Sequence, residues 1–175
     1  MAFSSEDVKK LRDLTGAGML DCKNALQEAE GDLEKAKDVL RQRGFEAAAK
    51  RSERETAEGV VHSYIHHNRR LGALVEVNCE SDFVARTDDF QRLAQQIALQ
   101  VAAANPLYIS KDEVTSGTEG DPKELCLLEQ PFVQDESRTI QDLLSEVISK
   151  TGENIRVRRF ARFELGRYGD GASND

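Results

Sequence analysis

The sequence has few cysteines and no long apolar stretch, and each absence excludes a class of protein. Cys22, Cys79 and Cys126 are the only cysteines among 175 residues, and they are widely spaced without a CxxC pair. Neither a disulfide framework nor a structural zinc site is therefore predicted, and a reducing compartment fits. No run of about 18 apolar residues is present, and the first residues lack the basic and apolar regions of a signal peptide. We expect a cytoplasmic protein that does not enter a membrane.

Clustered positive charge and a phosphate-binding loop are also missing. The chain carries 24 Lys and Arg against 32 Asp and Glu, a net charge of -8. A nucleic-acid surface needs clustered basic side chains to replace the counterions of the phosphates, so no direct nucleic-acid binding is expected. Gly16-Ala17-Gly18 lacks the preceding strand and the spacing of a phosphate-binding loop. The chain is therefore expected to hold no nucleotide, metal or other cofactor and to act on a protein partner.

What the chain does contain begins with three short helical patterns. Ser4 and Asp7 suit the capping of a first helix, a second helix starts near Met19, and Asp32 to Gly44 fits a third. In the second helix we expect four side chains to face inward: Leu20, Ala25, Leu26 and Ala29. A bundle of this size buries little surface and normally serves as a docking module.

Beyond residue 58 the pattern changes to strands and longer amphipathic helices. Val60–His66 and Leu71–Asn78 flank a short loop, which predicts a hairpin, and Asn154–Leu165 alternates as a half-buried strand does. Two segments between them, one opening at Asp88 and one at Thr139, have helical apolar spacing. The first of these helices places on one face Phe90, Leu93, Ile97 and Val101, and the last strand places on one face Ile155, Val157, Ala161 and Phe163.

These patterns divide the chain into four parts. We expect a three-helix module at residues 1–45, a charged and partly helical linker at 46–58, a core at 59–165 and a flexible tail at 166–175. The predicted fold class is α+β, with the helical bundle followed by a small antiparallel three-stranded sheet packed with helices.

One interpretation of the polar residues is a small metal- or cysteine-dependent enzyme. His62 and His66 share a strand face, and Cys79 and Asp82 are possible companions. No carboxylate or thiol stands at a fixed ligand spacing from the histidines, however, and isolated matches of this kind are usually packed or solvated side chains.

The turn after the second strand carries the residues Ser81-Asp82-Phe83-Val84. Taken alone, this tetrapeptide favours a simple interpretation, in which Asp82 caps the next helix and Phe83 fills the core. A strand tip is also a place where partner-contacting groups are commonly mounted.

Longer stretches of the sequence favour the second interpretation. The run Leu74–Arg86 resembles the core signature of the translation elongation factor Ts family, and Leu11–Leu26 resembles the N-terminal module of that family. Shorter matches follow at Tyr64–Asn68, Gly152–Ile155 and Arg158–Phe160. The matches run in order from about Val8 to Leu165, apart from the central loop Glu113–Pro122, which is shorter than in the family.

The resemblance implies an exchange factor, not an enzyme. Members of this family accelerate the release of GDP from elongation factor Tu, and their N-terminal module is a bundle similar to ubiquitin-associated domains. The residues implied to bind that partner are Met19, Leu20 and Lys23 in the module, Ser81, Asp82, Phe83 and Val84 at the strand tip, and Thr151, Gly152 and Asn154 near the last strand. In the family the aromatic ring inserts between partner side chains, and the acidic residue beside it disturbs the Mg²⁺ site.

The resemblance also implies how the chain assembles. A single copy of the core unit matches the short form of the family, for which a homodimer supplies the second copy by symmetry. Leu74 and Phe160 are the expected interface residues. A further alternative is an adaptor of the ubiquitin-associated type, in which residues 1–45 bind the partner alone and the core is a spacer.

Overall fold

The computed structural model describes residues 3–115 and 118–167, and in them helices at the N-terminus precede a sheet packed with helices. The sheet has three antiparallel strands, so the predicted α+β class is confirmed. Among the described residues, no helix is both long enough and apolar enough to cross a membrane.

The N-terminal bundle consists of α1 (Ser5–Thr15), α2 (Met19–Glu28) and α3 (Leu33–Arg51). The predicted capping of α1 is confirmed, because the Ser4 hydroxyl accepts from the amide of Asp7 and the Asp7 carboxylate accepts from the amide of Ser4. Each bond satisfies a backbone donor that the first turn of a helix leaves free.

The interior of the bundle differs from the expectation at one position of α2. Leu20, expected inside, is 68% exposed, whereas Cys22 is fully buried. At 3.6 residues per turn, position 22 lies on the same face as the buried positions 25, 26 and 29, and position 20 lies nearly opposite. The small interior is formed by Val8, Leu11, Cys22, Ala25, Leu26, Ala29 and Ala36.

The remaining elements are, in chain order, β1 (Glu58–Ile65), β2 (Leu71–Cys79), α4 (Asp82–Ala85), α5 (Asp88–Ala104), α6 (Pro122–Leu125), β3 (Pro131–Phe132), β4 (Asp135–Thr139), α7 (Ile140–Thr151) and β5 (Ile155–Glu164). The sheet order is β1-β2-β5. The β3–β4 hairpin was not expected, because β3 has only two residues and the five residues of β4 are all polar, so neither shows alternation.

Gly44 does not end α3 as expected, because the helix continues through it to Arg51. Gly44 is buried where α3 packs on α7, and a Cβ built at this position would lie 3.6 Å from the Cβ of Ser145. A Cβ at this distance would be in ordinary van der Waals contact, so the packing of α3 on α7 does not require a glycine at this position. Of the predicted linker at 46–58, the first part belongs to α3, and Ala48 packs against the main core.

The main core lies between the inner face of the sheet and the helices α5 and α7. The predicted inward stripe of α5 is confirmed, since Phe90, Leu93, Ile97 and Val101 are all buried. They pack with Ala73, Val75 and Val77 of β2 and with the apolar face of α7. This packing fixes the ends of β2 and α7, where the polar turns described below begin.

An extra residue in β5 interrupts the alternation of that strand. Glu76 pairs with Arg159 and the next residue, Val77, pairs with Val157, so Arg158 has no partner across the ladder. A bulge of this kind turns the side chains that follow to the opposite face.

The consequence is that the predicted face of β5 is wrong beyond Arg158. Phe160 packs against the core, whereas Ala161 is exposed and Phe163 is 66% exposed on the outer face. Phe160 and Leu74 therefore lie on opposite faces and do not form one interface. The predicted tail at 166–175 lies outside the described residues beyond Arg167, whose amide donates to the carbonyl of Glu164.

Candidate partner-binding site

The turn between β2 and α4 presents two side chains to solvent. Ser81 is the N-cap of α4, and its hydroxyl accepts from the amide of Val84 at 3.3 Å. Phe83 is 81% exposed, so it does not fill the core. The interpretation of Asp82 as the cap and Phe83 as a core residue is therefore wrong. We call residues 81–84 the tip turn.

Within the tip turn, two residues anchor and two face outward. Val84 packs against the main core, and Ser81 is held by the hydrogen bonds described next. The carboxylate of Asp82 lies 3.1 Å from the guanidinium of Arg86; the Arg86 side chain is largely exposed and that of Asp82 is about half exposed. An exposed pair of this kind contributes about 0–1 kcal/mol, so the carboxylate is readily available to a partner.

A second turn, residues 151–154 between α7 and β5, packs directly against the tip turn. The carboxylate of Glu153 accepts from the amides of Glu80 and Ser81 at 3.1 and 3.0 Å and from the Ser81 hydroxyl at 2.6 Å. In return, the carboxylate of Glu80 accepts from the amide of Asn154 at 2.6 Å. The structure thus brings together two of the predicted groups, Ser81 to Val84 and Thr151 to Asn154.

The end of α3 is tied to the same pair of turns. The guanidinium of Arg51 donates to the carbonyl of Gly152 at 2.9 Å, and that of Arg54 lies 3.3 Å from the Glu80 carboxylate. The side-chain amide of Asn154, which is only 3% exposed, donates to the carbonyls of Ser52 and Arg54. Because Asn154 is buried and bonded internally, it supports the turn and has little surface for a partner.

Glu80 and Glu153 were not singled out by the sequence reading, although both are central here. The hydrogen bond from the amide of Asn154, together with the nearby Arg54, lowers the pKa of Glu80. A carboxylate that accepts backbone amides is stabilised in its charged form. The sequence places Glu80 directly before Ser81 and Glu153 directly after Gly152, and these positions could have indicated a role in the site. Two acidic residues in polar turns, however, resemble ordinary solvated side chains.

The third predicted group lies on the N-terminal bundle. Met19 and Leu20, at the start of α2, are exposed together with Leu14 at the end of α1, and Lys23 is exposed beside them. These residues and the tip turn lie on different elements. The helix α7 contacts both regions, because Lys150 lies against Gly16 of the α1–α2 turn and Thr151 leads into the second turn. Three exposed apolar side chains with a cation form a surface suited to a protein partner.

The enzyme interpretation finds no support in this geometry. Cys79 is buried, its thiol donates to the carbonyl of Ser81 at 3.1 Å, and burial raises its pKa to about 11, with the charge of Glu153 as the second cause. A thiol in this state is not a nucleophile near neutral pH. His62 pairs with Val75, four positions from Cys79 along β2, which is about 13 Å.

Metal binding by the histidines is no better supported. The Nδ1 atom of His66 is hydrogen-bonded to the hydroxyl of Tyr64 at 3.0 Å. Within residues 3–115 and 118–167, no group of three or more His, Cys, Asp or Glu side chains is arranged to hold a metal ion.

The outer face of the sheet is a further exposed apolar surface. We call it the outer sheet face, and its exposed members are Val61, Ile65, Leu74 and Phe163. Because one face of a three-stranded sheet is packed on the core, an apolar opposite face is typical of a surface that another chain covers.

The fold and these surfaces favour a class of protein that binds other proteins by docking, with one surface on the helical bundle and one on the tip turn. Comparison with known proteins identifies the family. The model of the family "Elongation factor TS" matches residues 23–120. Elongation factor Ts of Carboxydothermus hydrogenoformans is 49% identical over 94% of this chain and 89% of that protein.

Two further relatives carry the same name. Elongation factor Ts of Thermoanaerobacter sp. strain X514 is 47% identical over 99% of this chain and the whole of that protein, and that of Thermotoga neapolitana is 44% identical over 97% and 100%. The chain belongs to the elongation factor Ts family and is a translation elongation factor. The alignment with the Thermoanaerobacter protein spans 203 positions against 175 residues here, so that relative carries residues that this chain lacks. The position of the missing residues, in the loop Glu113–Pro122, stays a prediction.

Proposed function

We propose that this chain accelerates the release of GDP from elongation factor Tu by docking on it with the tip turn and the N-terminal bundle. Family membership supports the exchange activity. The single observation that carries the mechanism is the exposure of Phe83, because an aromatic side chain gains nothing for the fold when it is left in water. A side chain so placed is free to enter a partner.

The proposed mechanism is competitive coupling between two ligands of one protein. Any contact that is better in the nucleotide-free partner weakens nucleotide binding by the same factor. Phe83 inserts between partner side chains as an apolar anchor, and such anchors each contribute up to a few kcal/mol. Asp82, one residue away, brings a negative charge toward the Mg²⁺ site, where the ion is commonly the largest local charge.

The other predicted residues have supporting parts in this proposal. The second docking surface is formed by Met19, Leu20 and Lys23. It lies on a different element from Phe83, so each surface can be altered without changing the other. Thr151 and Gly152 border the tip turn, and Asn154 holds the end of α3 against it. The protein is proposed to act in the cytoplasm, where translation elongation takes place.

A homodimer is also part of the proposal, through the outer sheet face. Leu74 remains an interface residue, but Phe163 takes the place that was expected for Phe160, because the bulge at Arg158 turns Phe160 inward. The charged substitution Phe163→Asp is expected to give monomers in analytical ultracentrifugation. A wild-type chain that sediments as a monomer would rule out this assembly.

The experiment that tests the exchange mechanism is the release of a fluorescent GDP analogue from elongation factor Tu, with the Phe83→Ala variant. Release is expected to slow at least about tenfold, because one buried aromatic anchor is worth about 2 kcal/mol or more at an interface. The matched control is Leu107→Ala, which shortens another exposed apolar side chain away from the tip turn. Wild-type release by Phe83→Ala would contradict the proposal.

The adaptor alternative gives a different result in the same assay. If residues 1–45 bind the partner and the core is a spacer, Leu20→Ala weakens binding of the full chain while Phe83→Ala leaves GDP release unchanged. Under the exchange mechanism, Leu20→Ala weakens binding but release at saturating factor stays close to that of the wild type.

A further inference from the structure

The tip turn has little apolar packing of its own, which raises the question of what fixes its direction. The helix α4 has only four residues, and its buried side chain is the small Ala85. Asp82 and Phe83 face outward, and Val84 is only partly buried. A single helical turn is not stable without outside contacts. Its orientation therefore depends on the neighbouring polar groups as well as on the packing of Val84 and Ala85 on the core.

We infer that Glu153 is a positioning residue for nucleotide exchange, whose carboxylate holds the tip turn so that Phe83 points at the partner. The inference rests on the proposed function and adds to it a residue whose carboxylate is bonded within this chain. Glu153 lies 72 positions after Ser81 in sequence, yet it receives both amides that precede α4 and the hydroxyl that caps it.

The chemistry of the contact requires a carboxylate. Two backbone amides and one hydroxyl all donate to the two Glu153 oxygens, and an ionised carboxylate is the one side-chain group that offers acceptors alone. Hydrogen bonds to an ionised acceptor are about twice as strong as neutral ones. Because the Ser81 hydroxyl donates its hydrogen to the bond with Glu153, its oxygen lone pairs are left to accept from the amide of Val84. The cap of α4 is thus oriented by Glu153.

Reciprocal bonds make the arrangement rigid. Glu80 accepts from the amide of Asn154, and Glu153 accepts three hydrogen bonds from Glu80 and Ser81, so four hydrogen bonds join the two segments. Arg51 and Arg54 then tie both turns to the end of α3. A segment held at several points has few orientations, which is what a group that must enter a partner requires.

The test uses the full-length chain with Glu153→Ala, Phe83→Ala and the double variant, and it measures GDP release from elongation factor Tu at saturating factor. Glu153→Ala alone is expected to slow release about tenfold. In the double variant, loss of Glu153 is expected to add almost nothing to the effect of Phe83→Ala, because a positioning residue has no effect once the group it positions is absent. Glu153→Gln, which keeps one acceptor oxygen, should recover part of the rate.

A second measurement follows the contact itself. Hydrogen exchange at the amides of Glu80 and Ser81 is expected to be at least about tenfold faster in Glu153→Ala, because both lose their acceptor. The control is Glu136→Ala, an exposed glutamate of β4, which should change neither exchange at these amides nor GDP release.

Each outcome decides the question. Unchanged hydrogen exchange at Glu80 and Ser81, wild-type release by Glu153→Ala beside slow release by Phe83→Ala, or additive effects in the double variant would each overturn the inference. Wild-type release by Phe83→Ala would instead rule out the proposed role of Phe83 as an apolar anchor, and the inference about Glu153 would fail with it. That failure is recognisable because Phe83→Ala alone reports it.

Discussion

Two helices follow β2 in close succession, and they are held in opposite ways. Phe90 in the first turn of α5 is fully buried, whereas Phe83 in α4 is 81% exposed. The long helix α5 is fixed by an apolar stripe that packs on the sheet and α7. The short helix α4 packs Val84 and Ala85 on the core and is otherwise fixed by hydrogen bonds to the carboxylate of Glu153 and to the Ser81 cap.

The difference shows what an exposed functional group requires from its surroundings. A side chain that must enter a partner cannot also stabilise its own fold by burial. The segment that carries it must then be held by polar contacts, which are directional and fix an orientation.

Truncation of the buried aromatic residue should have the largest effect on the fold. Phe90→Ala removes a fully buried ring from the main core and is expected to lower the free energy of unfolding by about 3–5 kcal/mol. Urea denaturation measures this loss. Phe83→Ala is the matched comparison, and its stability should stay within about 0.5 kcal/mol of the wild type. Equal destabilisation by both would remove the contrast.

Loss of the α4 cap should have an intermediate effect. Ser81→Ala removes the acceptor for the Val84 amide and one donor to Glu153, at a cost of about 1 kcal/mol. Ser81→Thr keeps the hydroxyl and should retain wild-type stability and GDP release. Urea denaturation and the release assay compare the two variants. If Ser81→Thr were as defective as Ser81→Ala, the hydroxyl would not be the important group.

Removal of the exposed carboxylate should affect function more than stability. Asp82→Asn abolishes an exposed ion pair with Arg86, which is worth at most about 1 kcal/mol. Release of GDP is expected to slow, and the defect should shrink when Mg²⁺ is removed with a chelator, because the charge then has no ion to disturb. A defect that is independent of Mg²⁺ would assign Asp82 another role.

Acid should loosen the tip turn before it affects α5. The pKa of Glu80 is lowered in the fold by the amide of Asn154, so the bond is complete above the ordinary carboxyl pKa and is lost as pH falls through the lowered value. The protection factor of the Asn154 amide, which compares its exchange rate with the intrinsic rate at the same pH, should therefore fall in that range. The protection factors in the middle of α5, where apolar contacts hold the helix, should not change there. Glu80→Gln should abolish the pH dependence of the protection factor at Asn154.

The apolar periodicity of the sequence predicted the buried face of α5, but it could not predict the exposure of Phe83 in α4. The spacing of Phe90, Leu93 and Ile97 indicates burial directly, because three turns repeat the same pattern. Phe83 stands in a single turn, where no repeat exists, and only the resemblance to the family indicated that it faces a partner. Glu153 escaped the sequence reading because its acceptor role depends on a turn more than seventy residues away.

Two other differences have the same physical origin. Gly44 was expected to end α3, but the helix continues through it, and there it packs on α7. The bulge at Arg158 leaves no mark in an alternating strand, so the faces of its last residues were reversed. In each case the deciding contact comes from a distant segment, whereas local features such as the Ser4 and Thr139 caps were readable or consistent with the predicted boundaries.

The continuity of α3 has a geometric consequence of its own. The helix carries 19 residues, about 28 Å of rise, from the bundle to the point where Arg51 bonds to Gly152. The helix therefore fixes both the distance and the rotation of the Met19 surface relative to Gly152. One inserted residue would rotate that surface by about 100°. About seven inserted residues, close to two full turns, would restore its direction at a greater distance. Tolerance to insertions in this helix should accordingly be periodic, with the period of the helix itself.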